Sequence, residues 1–312
     1  MTRAVACAVG AVVTGLVIWS QAAQAHSDSS VALGPNEAWY AWNIDPWLLG
    51  LLLLGHWLYV RGVVRLWRRA GSGRGISAGR VVAFAAGELA LVVALISPLD
   101  ALGETLLSAH MVQHGLLIAV APPLLLLGLP GAAFAWALPP ETVRHLTRSS
   151  PVRAATRKLS WMLNPIAAAA IHGLAVWIWH VPAIFDAALA DSALHTLEHI
   201  FFLATAMLFW QSLVIASRGV ATAAFGVAAA FATLLHGGFL GALITFAPQV
   251  IFTWYIGRTS TWGLEPIEDQ QLAGLIMWVP LGIVYFAASL ALAARLVPAA
   301  REPSGPTTLV DR

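Results

Sequence analysis

Apolar residues in this chain fall in long blocks, with no strand-like alternation and no single amphipathic stripe. Starting at Pro46, seven blocks of about 20 residues follow one another, at residues 46–66, 80–98, 106–129, 163–182, 194–216, 222–247 and 272–297. About 20 largely apolar residues suffice for a helix to cross the hydrocarbon core of a bilayer. The pattern therefore predicts an all-α, polytopic transmembrane helical bundle of seven spans. Pro122, Pro123 and Pro280 interrupt two of the blocks. Proline is tolerated in a span whose neighbours satisfy the freed carbonyls, and the Pro122-Pro123 pair is expected to bend or break the third span.

The gaps between the blocks alternate in charge. Arg61, Arg65, Arg68, Arg69, Arg74 and Arg80 surround the first gap. The third holds Arg144, Arg148, Arg153, Arg157 and Lys158, the fifth Arg218, and Arg295, Arg301 and Arg312 follow the last span. The intervening gaps carry one base, Arg258, with Asp100, Glu104, Asp186, Asp191, Glu265, Glu268 and Asp269. Basic loops face the cytoplasm. The chain is thus expected in a bacterial cytoplasmic (inner) membrane, with the start of the first span outside and the C-terminus inside. Trp39, Tyr40, Trp42, Trp47, Trp179, Trp254, Tyr255 and Trp262 fall on the outer side and suit an interfacial aromatic belt. The aromatic outer loop 248–271 is expected to lie on the membrane or to cover the bundle.

Ahead of the spans, Arg3, an apolar run to Trp19 and the triplet Ala23-Gln24-Ala25 have the pattern of a secretory signal. Residues 1–25 read as a signal peptide, or as an uncleaved signal anchor that leaves the orientation unchanged. Residues 26–45 form a short outer segment, 46–297 the membrane domain and 298–312 a cytoplasmic tail.

Of the 312 residues, 59% are apolar and 10% charged, against about 25% charged in soluble domains. That excludes soluble enzymes and nucleic-acid binding, and leaves the lipid bilayer as the surroundings of the fold. The single cysteine, Cys7, lies in the signal region, so disulfide frameworks, thiolate metal centres and CxxC redox motifs are excluded by count.

Histidine is the exception to this avoidance of polarity. Ionisable groups inside spans are costly and mark functional sites by default. His110 and His114 lie four residues apart at the outer start of the third span, and His195 and His199 repeat the spacing at the outer start of the fifth. Four residues place two side chains on one helix face, one turn apart. His180 ends the fourth span on the same side. These five histidines predict one or two transition-metal sites, since imidazole suits copper, zinc, iron and nickel. Met111 adds a soft donor for Cu(I). Gln113, Glu198, Asp186 and Asp269 are candidates to orient the rings. Deeper in the spans lie His56, His172, His236 and Glu88, a second tier that serves either as further ligands or as hydrogen bonders between helices.

At His110-Met111-Val112-Gln113-His114, Ala121-Pro122-Pro123 and Gly128-Leu129-Pro130, the chain resembles the CtaG family of cytochrome c oxidase assembly factors. Trp179-His180-Val181-Pro182, His195-Thr196-Leu197-Glu198-His199 and the run from Asp269 to Pro280 continue the resemblance. It extends over most of residues 45–297 and concerns the polytopic type, not the single-span copper chaperone that shares the abbreviated name and uses cysteines. It implies a role in maturing a haem–copper oxidase, with oxidase subunits as partners and His110, His114, His180, His195, His199 and Asp269 as the positions at stake. Copper as the ion comes from the histidines rather than from the resemblance. The expected function is an assembly factor, not an enzyme, that holds and delivers copper from an outer-leaflet cluster. Two other readings stay open: a haem-binding membrane protein using His172 and His236, and an intramembrane zinc-dependent hydrolase.

Overall fold

The computed structural model describes residues 32–296, which are helical with no strand among them. The signal segment 1–25, His26 and the tail 298–312 lie outside the described residues. The helices in chain order are α1 (Pro46–Ala70), α2 (Ala78–Leu95), α3 (Pro98–Gly103), α4 (Leu107–Gly115), α5 (Ala121–Leu127), α6 (Pro130–Ala137), α7 (Pro140–Arg148) and α8 (Ser150–Leu159). They continue with α9 (Pro165–Trp179), α10 (Pro182–Ala190), α11 (Ser192–Ala216), α12 (Val220–Thr245) and α13 (Pro266–Ala293).

Among the described residues, six helical stretches are long and apolar enough to cross a membrane: α1, α2, the continuous run of α4 into α5, α11, α12 and α13. The expected fourth span is α9, whose 15 residues rise only about 22 Å. Its helix pair with Ser150–Leu163 is bent by 81° at the break, and counting that pair as one span gives seven. The bend follows from Asn164-Pro165, because the residue before proline is pushed out of the α region. Asn164 is extended and its side chain caps α9 through the amides of Ile166 and Ala167. The chain is a multi-pass membrane protein.

The third span does not bend sharply at its prolines. Instead it widens into a π-helical turn, Leu116–Val120, just before them. Pro122 has no N–H for the carbonyl four residues back, that of Ile118. Trp210 of α11 supplies the missing donor, its indole Nε1 reaching Ile118 O at 2.8 Å. The irregularity is therefore satisfied from a neighbouring helix, as a hydrocarbon environment demands.

Close crossings hold the bundle together. In a membrane, small residues let helix backbones approach. A methyl group on Gly274 of α13 would lie 2.6 Å from the carbonyl of Gly241 on α12, and those two helices form the most extensive pair in the fold. At the arginine-bearing end, Arg61 and Arg65 of α1 donate to the carbonyl of Ala137, the last residue of α6. Arg80 donates to Leu127 O at the end of α5. Cations at helix C-termini answer both the orphan carbonyls and the dipole.

The opposite end is closed by loops. Trp254 and Tyr255, in the segment between α12 and α13, donate to the carbonyls of Glu104 and Gly103. Thr253 donates to Asp186 through its amide and its hydroxyl. Trp262 Nε1 reaches Leu33 O, and Leu33 N donates to Thr105. The aromatic loop thus covers the bundle. The aromatic belt divides accordingly. Trp39, Tyr40, Trp42 and Trp47 are exposed, whereas Trp179 and Tyr255 are buried and belong to the interior.

Candidate metal centre

The two histidine pairs are placed in the same way. Each begins at the fourth residue of its helix, His110 in α4 and His195 in α11. Each helix start is capped by a carboxylate that takes up its orphan amides. Asp191 accepts from Ala193 N and Leu194 N. For α4 the acceptor comes from 162 residues away: Asp269 of α13 accepts from Leu107 N at 2.6 Å and from Ser108 N at 3.2 Å. Its Oδ1 also accepts from the Ser108 hydroxyl at 2.5 Å. The caps fix the depth and rotation of both helices, and hence where the imidazoles point.

Those imidazoles meet. Ring centroids of His110 and His114 are 4.1 Å apart, and those of His195 and His199 4.3 Å. Between the helices, His110 stacks on His195 at 5.3 Å, and His114 lies 5.7 Å from His199. The ring of His180, just past the end of α9, is 5.8 Å from that of His114. Its Nδ1 donates to the carbonyl of Val176 at 2.7 Å, which leaves Nε2 as the lone-pair nitrogen. All five sequence-predicted ligands are thus gathered into one cluster.

Glu198 joins them. It was expected to orient a ring, but its side chain points into the set, with Oε1 3.7 Å from His114 Nε2 and Oε2 4.0 Å from His110 Nε2. Neither oxygen has a hydrogen-bond partner among the described residues, and neither do both nitrogens of His114 or Nε2 of His110, His180 and His199. His110 and Glu198 have no solvent exposure. Buried polar groups are ordinarily hydrogen-bonded, and a buried carboxylate without a partner is costly. A cation amid these donors removes that cost.

Two donor triads have ligand atoms within 4.8 Å of one another: His110 with His195 and His199, and His110 with His114 and Glu198. Ligands of a tetrahedral ion bound at about 2.0–2.1 Å stand about 3.3 Å apart. Ligand atoms gathered this closely could hold one ion after side-chain adjustment. The donor chemistry fits copper or zinc. Phe185 of α10 roofs the cluster, 5.1 Å from His110 and 6.1 Å from His180. Phe252 packs on Phe185 at 4.4 Å. Nothing in the residue spacing marked this roof.

The remaining candidates go elsewhere. Gln113 does not touch a ring with its amide nitrogen; it donates to Ala94 O and to Asp100, tying α4 to α2 and α3. Asp269 caps a helix and Asp186 anchors the covering loop, so neither orients an imidazole by bonding to it. Met111 is fully buried in the apolar core. His56 and Glu88 pair with each other at 2.7 Å between α1 and α2. His172 is engaged by Thr205 at 3.0 Å and Tyr285 at 3.4 Å. With His236 it lines a cavity of about 20 Å³, which has room for about one water.

The sequence profile of the cytochrome c oxidase caa3 assembly factor family (Caa3_CtaG) matches residues 57–298. Uncharacterized proteins of Mycobacterium bovis and Mycobacterium tuberculosis are each 28% identical over 232 residues, covering 70% of this chain and 34% of theirs. One of Mycobacterium leprae is 26% identical over 233 residues with the same coverage. The chain spans about a third of the length of these relatives. No solved structure matches it.

Proposed function

The chain belongs to the cytochrome c oxidase caa3 assembly factor family, and from that premise we propose that it holds copper at the histidine cluster and passes it to an oxidase subunit. The observation that carries this is the convergence of five imidazoles and Glu198, of which His110, His114, His180 and Glu198 are buried, with both Glu198 oxygens and both His114 nitrogens left without hydrogen-bond partners among the described residues. Copper is cargo here, and no covalent bond of a substrate is made or broken, so the role is not catalytic. The arginine-rich loops support an orientation with that end of the bundle in the cytoplasm of a bacterium. The cluster then lies beneath the loops of the outer face, on the side from which an ion reaches it without crossing the hydrocarbon core.

Metal analysis of the purified full chain, with its absorption spectrum, tests the reading. The expected result is copper bound by the wild type and lost in the double variant His110→Ala, His195→Ala. Equal copper in both would reduce the cluster to packing, and a haem band would move the function to haem. A second reading has one specific observation behind it. His110, His114 and Glu198 form the two-histidine, one-carboxylate set found at catalytic zinc. Zinc-dependent hydrolysis of a lipid amide or ester, lost with Glu198→Gln, would favour it.

A further inference from the structure

We infer that the cluster is two adjoining cation subsites sharing His110, one built of three imidazoles and one of two imidazoles and a carboxylate. The inference rests on the copper reading above and divides its site.

Donor count is the first ground. Five imidazoles and Glu198 offer six ligands, whereas a tetrahedral ion uses four. The second ground is geometry. His110 is the one residue common to the two triads whose ligand atoms lie within 4.8 Å of each other. Burial separates the two sets. His114 and Glu198 are buried together with His110, while His195 and His199 retain partial exposure. The carboxylate set is therefore the more enclosed of the two, and the three-imidazole set lies at the partly exposed edge of the cluster. His180 faces His114 and extends the enclosed set.

The two sets also differ in chemistry. Three neutral imidazoles leave a monovalent ion with one net charge, which a buried site tolerates better than two. Glu198 cancels one charge of a divalent ion, and carboxylate is a harder donor than imidazole. The three-imidazole subsite accordingly takes Cu(I), and the Glu198 subsite takes a divalent cation. Occupying either set requires only metal–ligand bonds and no electron moves; neutral His110 has one lone-pair nitrogen, so one set is filled at a time.

The test uses the full chain in detergent, titrated anaerobically with Cu(I) against a competing chelator and separately with Zn²⁺. Glu198→Gln keeps the side-chain shape and removes its charge, and His114→Gln reports on the same subsite by a second route. Both should weaken Zn²⁺ binding by about ten-fold or more, the size of effect expected from altering a metal's surroundings, and leave Cu(I) affinity nearly unchanged. His195→Gln should do the reverse, and His110→Gln should weaken both ions. Equal weakening of both ions by Glu198→Gln and by His195→Gln would overturn the division and leave one site. A wild type that binds neither ion would overturn the copper reading itself, a result distinct from the first.

Discussion

At Asp269 a carboxylate on α13 takes up two amides and a hydroxyl at the start of α4, and so positions His110 and His114 without touching them. Its replacement by alanine strands those buried donors, at a cost of about 2–3 kcal/mol. Copper affinity should fall by about ten-fold, as for partners that orient metal ligands, with the copper stoichiometry kept. Calorimetry alongside a chelator competition separates the two effects, and a loss of copper with an unchanged melting temperature would make Asp269 a ligand instead. Tyr255, outside the spans, gives a pH-dependent expectation. Burial, and then nearby carboxylate charge, pushes its phenol well above the ordinary value. A raised pKa means stability that is full below the unfolded value near 10 and lost only as pH rises through the folded one. The hydrogen bond to Gly103 O should therefore persist across neutral and mildly alkaline pH. Tyr255→Phe should lower the melting temperature by a constant amount from pH 6 to 9. A difference that shrinks within that window would contradict the assignment.

Helices in this protein carry their irregularities where partners can meet them. Trp210→Phe would leave the Ile118 carbonyl unpaired beside the Pro122-Pro123 step, costing about 1–3 kcal/mol. The melting temperature should fall, and the metal affinity should fall with it, because the π turn directly follows His114. An unchanged melting temperature would show that the carbonyl finds another donor. At this scale the sequence was legible wherever the signal was local. Runs of apolar residues marked the spans, and four-residue spacing placed His110 with His114 and His195 with His199. What was not legible depended on distance through space. Asp269 lies 162 residues from the amide it caps, and no spacing rule links them. Glu198 falls on the face of His195, but only the docking of α11 on α4 shows that it reaches between His110 and His114. Gln113 precedes His114 by one residue, about 100° around the helix, and its side chain is taken by α2 and α3. Phe185 and Phe252 carry no polar signature, so the roof stayed hidden. Helix α9 falls where the fourth span was expected, but it counts as a span only together with Ser150–Leu163, and the bend between them comes from Asn164-Pro165.

For the molecule as a whole, the proposed delivery needs the arginine end and the histidine end on opposite sides of one membrane. Reporter fusions after Arg69 and Ala154 should report cytoplasm, and fusions after Asp100, Asp191 and Trp262 should report the outside. A cytoplasmic signal at Asp191 would invert or break the arrangement on which delivery from the outer face depends. Delivery itself is tested most directly by copper per oxidase polypeptide, measured in membranes of a deletion strain complemented with wild type or with His110→Ala, His195→Ala. The account predicts oxidase polypeptide present but copper-deficient in both the deletion strain and the double variant, with full copper restored by the wild type. Full copper in oxidase from the double-variant strain would contradict it.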